Sequence, residues 1–379
     1  LPAERLAAHI ASAVMERTGI DPMLVEDVVF AQSYANSEAP CIGRWAALAA
    51  GMPIEVPGMQ LDRRCGGGLQ AIATAAMMVE SGTCDVVLAG GVESMSNIEY
   101  YTTTMRGGAK AGSVQMYDRL DRGRERSQPA ERFGVISGMI ETAENLATDH
   151  AISREQADAF AAQSQQRAAA AWTAGKFNAE VVPVPVPQKK GDPVPFTRDE
   201  GIRGETTAES LSALRPIIKG GTVTAGNSSQ QNDAAAACLV VAEDKLATLG
   251  LEPIAYWGGW AAYGCDPARM GIGPVGAVRK LFARTGLGWK DIDLVEINEA
   301  FAAQVLAVFK GWGIDYAGEW ADRINVNGSG ISLGHPIGAT GVRIMTSMLH
   351  EMQRRGARRA LETMCIGGGQ GIAAIFERP

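Results

Sequence analysis

No stretch of this sequence is apolar for long enough to cross a membrane. The longest apolar runs, Trp45 to Ala50 and Ala234 to Ala242, fall far short of the roughly 20 residues a spanning helix needs. Aromatic residues make up only 6% of the chain and histidines number four. Cysteines stand at positions 41, 65, 84, 238, 265 and 365 with no CxxC pair, so the spacing of a structural zinc site is missing and no metal is expected. Basic residues do not predominate either: 35 Lys and Arg face 42 Asp and Glu, a formal charge of −7. That balance excludes the global positive field of a nucleic-acid or anionic-membrane binder, and any anionic ligand must be met by local groups. Scattered free cysteines suit a reducing compartment, so a cytoplasmic location is expected. The opening LPAERLAAHIASAVMERTG has helical periodicity and both charge signs, unlike a signal or transit peptide. A chain that opens inside a helix gives the expectation of a preceding strand.

What is present is an alternation of helical and strand-like periods. Helical spacing covers Ala3 to Thr18, strand character Val25 to Gln32, helical spacing Gly68 to Glu80 and an apolar strand Asp85 to Ala89. The second half repeats the scheme with a helix at Gly276 to Thr285, a strand at Leu294 to Ile297, a helix at Ala339 to Arg355 and a strand at Arg359 to Cys365. The order of elements implies an α/β protein with two similar halves. Between them lies a stretch of different character. It holds a basic run (Arg119, Arg122, Arg124, Arg126), a helical pattern from Arg154 to Lys176 and VVPVPVPQKKGDPVPF at 181–196, which suits edge strands or a polyproline-like arm. We divide the chain into an N-terminal core of residues 1–96 and 232–252, an inserted loop or lid domain of residues 97–231 and a C-terminal core of residues 253–379.

Four positions could carry chemistry. Cys65, in LDRRCGGGLQAI, sits between an extended stretch and a helix, where free N–H groups and the helix dipole favour a thiolate; a buried structural cysteine is the alternative. His335 stands in the glycine-rich NVNGSGISLGHPIGATG, which favours close approach of a ligand over a place in the core. Cys365 closes a strand and opens IGGGQG, a glycine nest able to hold an oxyanion. Asn298, in EINEAFA, can position a water or a carbonyl oxygen, or cap a helix, or both. All four fall at carboxyl ends of strands in corresponding places of the two halves, where open α/β sheets bind ligands. GSGISLG lacks the spacing of a dinucleotide fingerprint.

In order along the chain, CGGGLQAI, GGVESMS (90–96), TAGNSSQQNDAAAA (224–237), NEAFA (298–302), NVNGSGISLGHPIGATG and CIGGGQG resemble the signature blocks of the thiolase family. The resemblance covers essentially the whole chain and looks closest to acetyl-CoA acetyltransferases and 3-oxoacyl-CoA thiolases. It implies a thiolase fold: two similar αβ core domains with mixed five-stranded sheets in αβαβα layers, and a loop domain inserted in the first. It implies a ping-pong acyltransferase acting on coenzyme A, acetyl-CoA and 3-oxoacyl-CoA, with a degradative, β-oxidation-type role preferred, no further cofactor, and assembly as a homodimer or homotetramer. Residue by residue, it makes Cys65 the acylated nucleophile, His335 its base and Cys365 the acid/base at the α-carbon. Asn298 would hold a water, and the N–H groups of Cys65 and Gly367 would form an oxyanion hole. Arg203, Ala225, Ser229 and Phe301 resemble coenzyme A contacts. Three features depart from the pattern. Gly138 stands near the place where many short-chain members have a histidine, which leaves acetoacetyl-CoA specificity open. Gly67 replaces a serine, and the opening VRTP-like strand is absent from these residues. A 3-oxoacyl-carrier-protein synthase would pair its cysteine with two histidines or a histidine and an asparagine, and an inactive lipid-carrier or scaffold relative would have lost the thiols.

Overall fold

We describe the chain from a computed structural model, which defines every residue except Ser137. The first half runs α1 (Ala3–Thr18), β1 (Asp27–Ala31), α2 (Ile42–Ala49), β2 (Met59–Leu61), α3 (Gly67–Glu80) and β3 (Val86–Ser94). Helix α1 shows why these elements form: Leu6, Ala7, Ala11 and Met15 fall on one buried stripe, and Gly19 in the left-handed region ends it with its N–H returned to the Met15 carbonyl. β3 is apolar along most of its length and buried at every residue, the pattern of a strand covered on both faces.

The segment that follows contains β4 (Tyr100–Tyr101), β5 (Tyr117–Asp118), α4 (Arg119–Glu125), α5 (Ala130–Phe133), α6 (Met139–Asp149), α7 (Arg154–Thr173), β6 (Val184–Val186), β7 (Val194–Phe196) and α8 (Ala208–Ser212). β8 (Asp233–Val241) then returns to the first sheet and leads to α9 (Leu246–Leu249). The second half comprises β9 (Tyr256–Gly264), α10 (Gly273–Thr285), β10 (Leu294–Ile297), α11 (Ala302–Trp312), α12 (Gly330–Leu333), α13 (Thr340–Arg355), β11 (Arg359–Ile366) and β12 (Gln370–Glu377). The first sheet has the order β2-β1-β3-β8 and the second β10-β11-β12-β9. In both, the parallel pair (β1–β3, β10–β11) is followed by an antiparallel strand (β8, β12). Helices α1 and α2 cover the outer face of the first sheet, with Val28, Phe30 and Leu88 beneath them. α3 and α13 fill the layer between the sheets, and α10 and α11 cover the outer face of the second. The layering is the expected αβαβα.

Each core sheet has four strands among the described residues, not the expected five. In the second half the place beyond β10 holds only a one-residue bridge, Val295 to Ile324. Asn325 turns into the left-handed region (φ 44) there. Its side-chain amide replaces the next rung, accepting from the Ile297 N–H at 2.9 Å and donating to the Ile297 carbonyl at 2.8 Å. In the first half the outer edge of β8 is unpaired among the described residues. The inserted segment is only partly a separate lid. α7, started by a Ser153–Gln156 capping box, buries Ala157, Phe160 and Ala161 in the core of the second half. The proline-rich arm forms a hairpin in which Pro185 faces Pro195, tolerable because two short edge strands need few ladder donors.

The halves are locked where α3 and α13 cross. A methyl group at Gly68 would stand 2.8 Å from the Val342 nitrogen, and one at Gly341 would overlap the Leu69 nitrogen. Glu93 on β3 adds a polar tie: its buried carboxyl accepts the N–H groups of Ser33 (3.0 Å), Tyr34 (3.1 Å) and, across from the second half, Gly338 (3.0 Å). Gly341→Ala is expected to destabilise the fold by about 3 kcal/mol or more, because backbone on both helices must separate. A shift in the urea midpoint of that size checks it, and an unchanged midpoint contradicts the tight crossing.

Candidate active site

The crossing sets the first reactive group. Arg64 adopts a left-handed conformation (φ 46) immediately before Cys65, with its N–H held by the Asp62 carboxylate at 2.6 Å. This sharp turn delivers Cys65 to the amino end of α3. Burial pushes the Cys65 thiol up, while the Gly367 N–H aimed at the sulfur, the Arg64 guanidinium and the residue's own N–H pull in the opposite direction. The N–H groups of Gly367 and of Cys65 itself thus both bear on the sulfur. Gly367 reaches it because Gly368 and Gly369 both take positive φ (87° and 85°) and reverse the chain between β11 and β12.

His335 is fixed through its neighbour Thr340, five residues on at the start of α13. The Thr340 hydroxyl donates to the Pro336 carbonyl (2.9 Å) and so accepts from the His335 ring, whose Nδ1 lies 2.7 Å away. The Nδ1–H tautomer follows, leaving the Nε2 lone pair free to take a proton. The His335 N–H is held by the Gln230 carbonyl (3.1 Å) and the Asn232 carboxamide (3.2 Å). Burial, with the charges of Arg343 and Arg124, lowers the imidazole to about 3. Near neutral pH the resting pair is thus an uncharged thiol and an uncharged imidazole.

Cys365 is completely buried beside Met270, Ala300 and Phe301. Burial raises its thiol well above the usual range, and the nearby Cys65 and Cys265 sulfurs add to this. Asn298 is also fully buried, and neither its Oδ1 nor its Nδ2 has a partner in the protein. An orphaned buried amide of this kind calls for a water or a ligand oxygen. The alternative role as a helix cap does not hold: α11 begins at Ala302 with Phe301 at the N-cap position. Its neighbour Glu299 is spent on structure, accepting from Ser164 Oγ (2.6 Å), Asn325 Nδ2 (2.8 Å) and the Ile331 N–H (3.2 Å).

Cys65 and His335 line one cavity of about 620 Å³, together with Ala225, Ser229 and Phe301. The loop carrying Ala225 and Ser229 is zipped to the start of α11 by the Ser229 N–H to Ala300 carbonyl bond and the Ala302 N–H to Asn227 carbonyl bond, each 2.9 Å. Met139, Ile140, Met270 and Ile337 give the cavity an apolar wall. Arg203 is not part of that wall: its side chain is exposed, and its N–H is held by Gln165 Oε1 at 2.7 Å. The basic run is divided. Arg119 pairs with Glu99, Arg122 stacks 3.5 Å over Tyr117, Arg126 is exposed, and only Arg124 reaches the cavity. Sequence reasoning missed Thr340 and Glu93. The signal for Thr340 was a lone hydroxyl opening a helix within HPIGATG. Glu93 could have been suspected as a charge closing the apolar run VVLAGGVE.

The thiolase N-terminal domain family matches residues 1–244 and the thiolase C-terminal domain family residues 251–378. The chain is 46% identical to an acetyl-CoA acetyltransferase of Chromobacterium violaceum and 43% identical to one of Pseudomonas aeruginosa, in each case over all of this chain and 94% of the relative. Among solved structures, the Bacillus anthracis acetyl-CoA acetyltransferase superposes with a TM-score of 0.93 at 39% identity, covering 100% of this chain and 93% of that one. Human mitochondrial 3-ketoacyl-CoA thiolase does so with a TM-score of 0.93 at 40% identity, covering 100% and 94%.

A thiol raised by burial deprotonates at higher pH than a free one, so the difference in thiolate absorbance between the native protein and Cys65→Ala should be small at neutral pH and grow above the ordinary thiol range. His335→Asn should slow alkylation of Cys65 at neutral pH by about a hundredfold, the scale of a lost general base. A full thiolate signal at neutral pH in the free protein would contradict the uncharged resting pair.

Proposed function

The chain belongs to the thiolase family and is an acyltransferase, and from that premise we propose how its residues divide a reversible, two-step acyl exchange on 3-oxoacyl-CoA. Cys65 attacks the thioester carbonyl as His335 Nε2 takes its proton. The N–H groups of Cys65 and Gly367 hold the oxyanion, each such donor supplying about 3 kcal/mol. Coenzyme A leaves with the proton from His335, and the acyl group stays on Cys65. Acetyl-CoA then enters, His335 takes the thiol proton of Cys365, the Cys365 thiolate takes the α-proton, and the enolate oxygen is held by the His335 imidazolium and by a water on Asn298. The carbanion attacks the acyl-cysteine, the expelled Cys65 thiolate takes the proton back from His335, and thiolysis is the reverse sequence. The single observation that carries this reading is the convergence on one cavity of Cys65 and His335, with the buried thiol of Cys365 behind them and the unpartnered amide of Asn298.

Chemical balance requires no metal or redox cofactor in this scheme, since thioester sulfur already acidifies the α-carbon and each proton has a named acceptor. We propose the degradative direction, with acyl chains longer than acetoacetyl. The support is the apolar wall of Met139, Ile140 and Met270 and a cavity with room beyond a two-carbon unit. The scattered free cysteines support the further proposal of a cytoplasmic location, and the family resemblance those of a homodimer or homotetramer and of coenzyme A contacts through Ala225, Ser229, Phe301 and the exposed Arg203. The carrier-protein synthase reading is disfavoured because Cys365 takes the place of the second histidine or asparagine such an enzyme would pair with its cysteine, and the cavity wall carries one histidine among the described residues.

Thiolysis of a 3-oxoacyl-CoA series from four carbons upward, followed by loss of enolate absorbance, should show activity rising beyond the four-carbon ester. Activity confined to that ester contradicts the chain-length proposal, and none with any ester contradicts the reaction. Cys365→Ser should retain coenzyme A exchange with acyl-CoA while losing carbon–carbon bond exchange by at least about a thousandfold. Equal loss of both half-reactions would contradict a role for Cys365 confined to the α-proton.

A further inference from the structure

Helix α13 carries a cation that the catalytic steps do not use. Arg343 lies one turn beyond Thr340, and its Nη2 donates to the Gly334 carbonyl at 3.1 Å, the peptide immediately before His335. Its Nε is buried with no partner. Among the described residues no carboxylate lies within ion-pair distance of it; the carboxyls that act on it stand further off, Glu296 on β10 first, then Asp199 and Glu180 of the inserted segment, and Glu299, all of them raised by burial. Glu362 on β11 also feels it. Several of these carboxyls are engaged elsewhere. Glu180 is held by Ser347 Oγ at 2.8 Å, and Glu299 by Ser164, Asn325 and the Ile331 N–H. Glu296 and Glu362 are register partners on adjacent parallel strands, and Glu362 is completely buried with both oxygens unpaired. A guanidinium so placed is neutralised only at a distance, and part of its field reaches the cavity.

The titratable groups that share the cavity with His335 are Asp121, Arg124 and Glu125 from α4, Glu141 from α6 and the thiol of Cys65 before α3, while Arg343 bears on it from α13; the charges that act on its imidazole are Arg343 and Arg124. Thr340, Gln230 and Asn232 contribute hydrogen bonds without charge. Both cations oppose an imidazolium, and of the two only Arg343 also grips the loop that carries the ring.

We propose that Arg343 is a positioning residue for His335, tying its loop to α13 through the Gly334 carbonyl and biasing the imidazole toward its uncharged, proton-accepting form. The inference rests on the reading of His335 as the base for Cys65. The local hydrogen bonds fix the tautomer, and the distant charge adds to burial in setting the protonation state. The direction agrees with the lowering of His335 by Arg343.

The test is the pH dependence of Cys65 alkylation by iodoacetamide, measured beside kcat and KM for thiolysis, in the native protein, Arg343→Gln, Arg343→Lys and His335→Asn. The glutamine variant removes the charge, so the acid limb should move to higher pH and kcat fall roughly tenfold with KM for the thioester unchanged. The lysine variant keeps the charge and slackens the Gly334 contact, so its acid limb should stay in place while kcat falls; it serves alone if the glutamine variant does not fold. An unmoved acid limb in a folded glutamine variant, or a raised limb in the lysine variant, overturns the proposal. Alkylation insensitive to His335→Asn would instead overturn the role of His335 itself, while leaving a distinct signature.

Discussion

The close crossing of α3 and α13 is the constraint from which the site follows. Where Gly68 and Gly341 meet, backbone packs directly on backbone and nothing larger than hydrogen fits. Cys65 lies just before the first helix and His335 just before the second, so the crossing brings nucleophile and base to one cavity without a long loop having to find its place. The Gly338 N–H on the Glu93 carboxyl fixes the same juncture from the side. Burial raises Glu93 to about 7, which reflects the penalty for desolvating a carboxyl there; three converging N–H groups offset part of it.

Electrostatically the two thiols and the imidazole of the site rest uncharged. Burial raises both cysteine thiols and lowers His335. Charge then develops only as a thioester is attacked, against donors that are already oriented and need no reorganisation. The same low dielectric makes distant charges matter, and this is why a guanidinium without a close ion pair can act on the imidazole. Asn298 is the complementary case: a buried amide whose hydrogen bonds are left for water or substrate instead of being closed within the protein.

Much of this was legible in the sequence because the decisive signals are local. The periodicity of Ala3 to Thr18 and of Arg359 to Cys365 reports burial directly, and α1 and β11 match those spans closely. Cys65, His335 and Cys365 stand in glycine-rich junctions that no ordinary core requires. Long-range facts were not legible. That α7 would bury its face in the second half depends on packing, since its own pattern, rich in Ala and Gln, is nearly uniform around the helix. The missing fifth strand of the second sheet turns on one Asn325 whose side chain imitates a rung, which no propensity reveals. Arg203 appeared as a motif match, yet its place outside the cavity wall follows from how residues 201–204 fold against Gln165 and Gln230. Thr340 and Arg343 gain their meaning only from the position of His335.

The chemistry stands or falls on one of six cysteines, Cys65, carrying the acyl group while Cys365 does not. Incubation with acetyl-CoA, rapid acid quench and peptide mass spectrometry addresses this division most directly. The prediction is one acetyl group per chain, on the peptide containing Cys65, still present in Cys365→Ala and absent in Cys65→Ala. An acetyl group found on Cys365, or no label in a folded protein that turns over substrate, would contradict it.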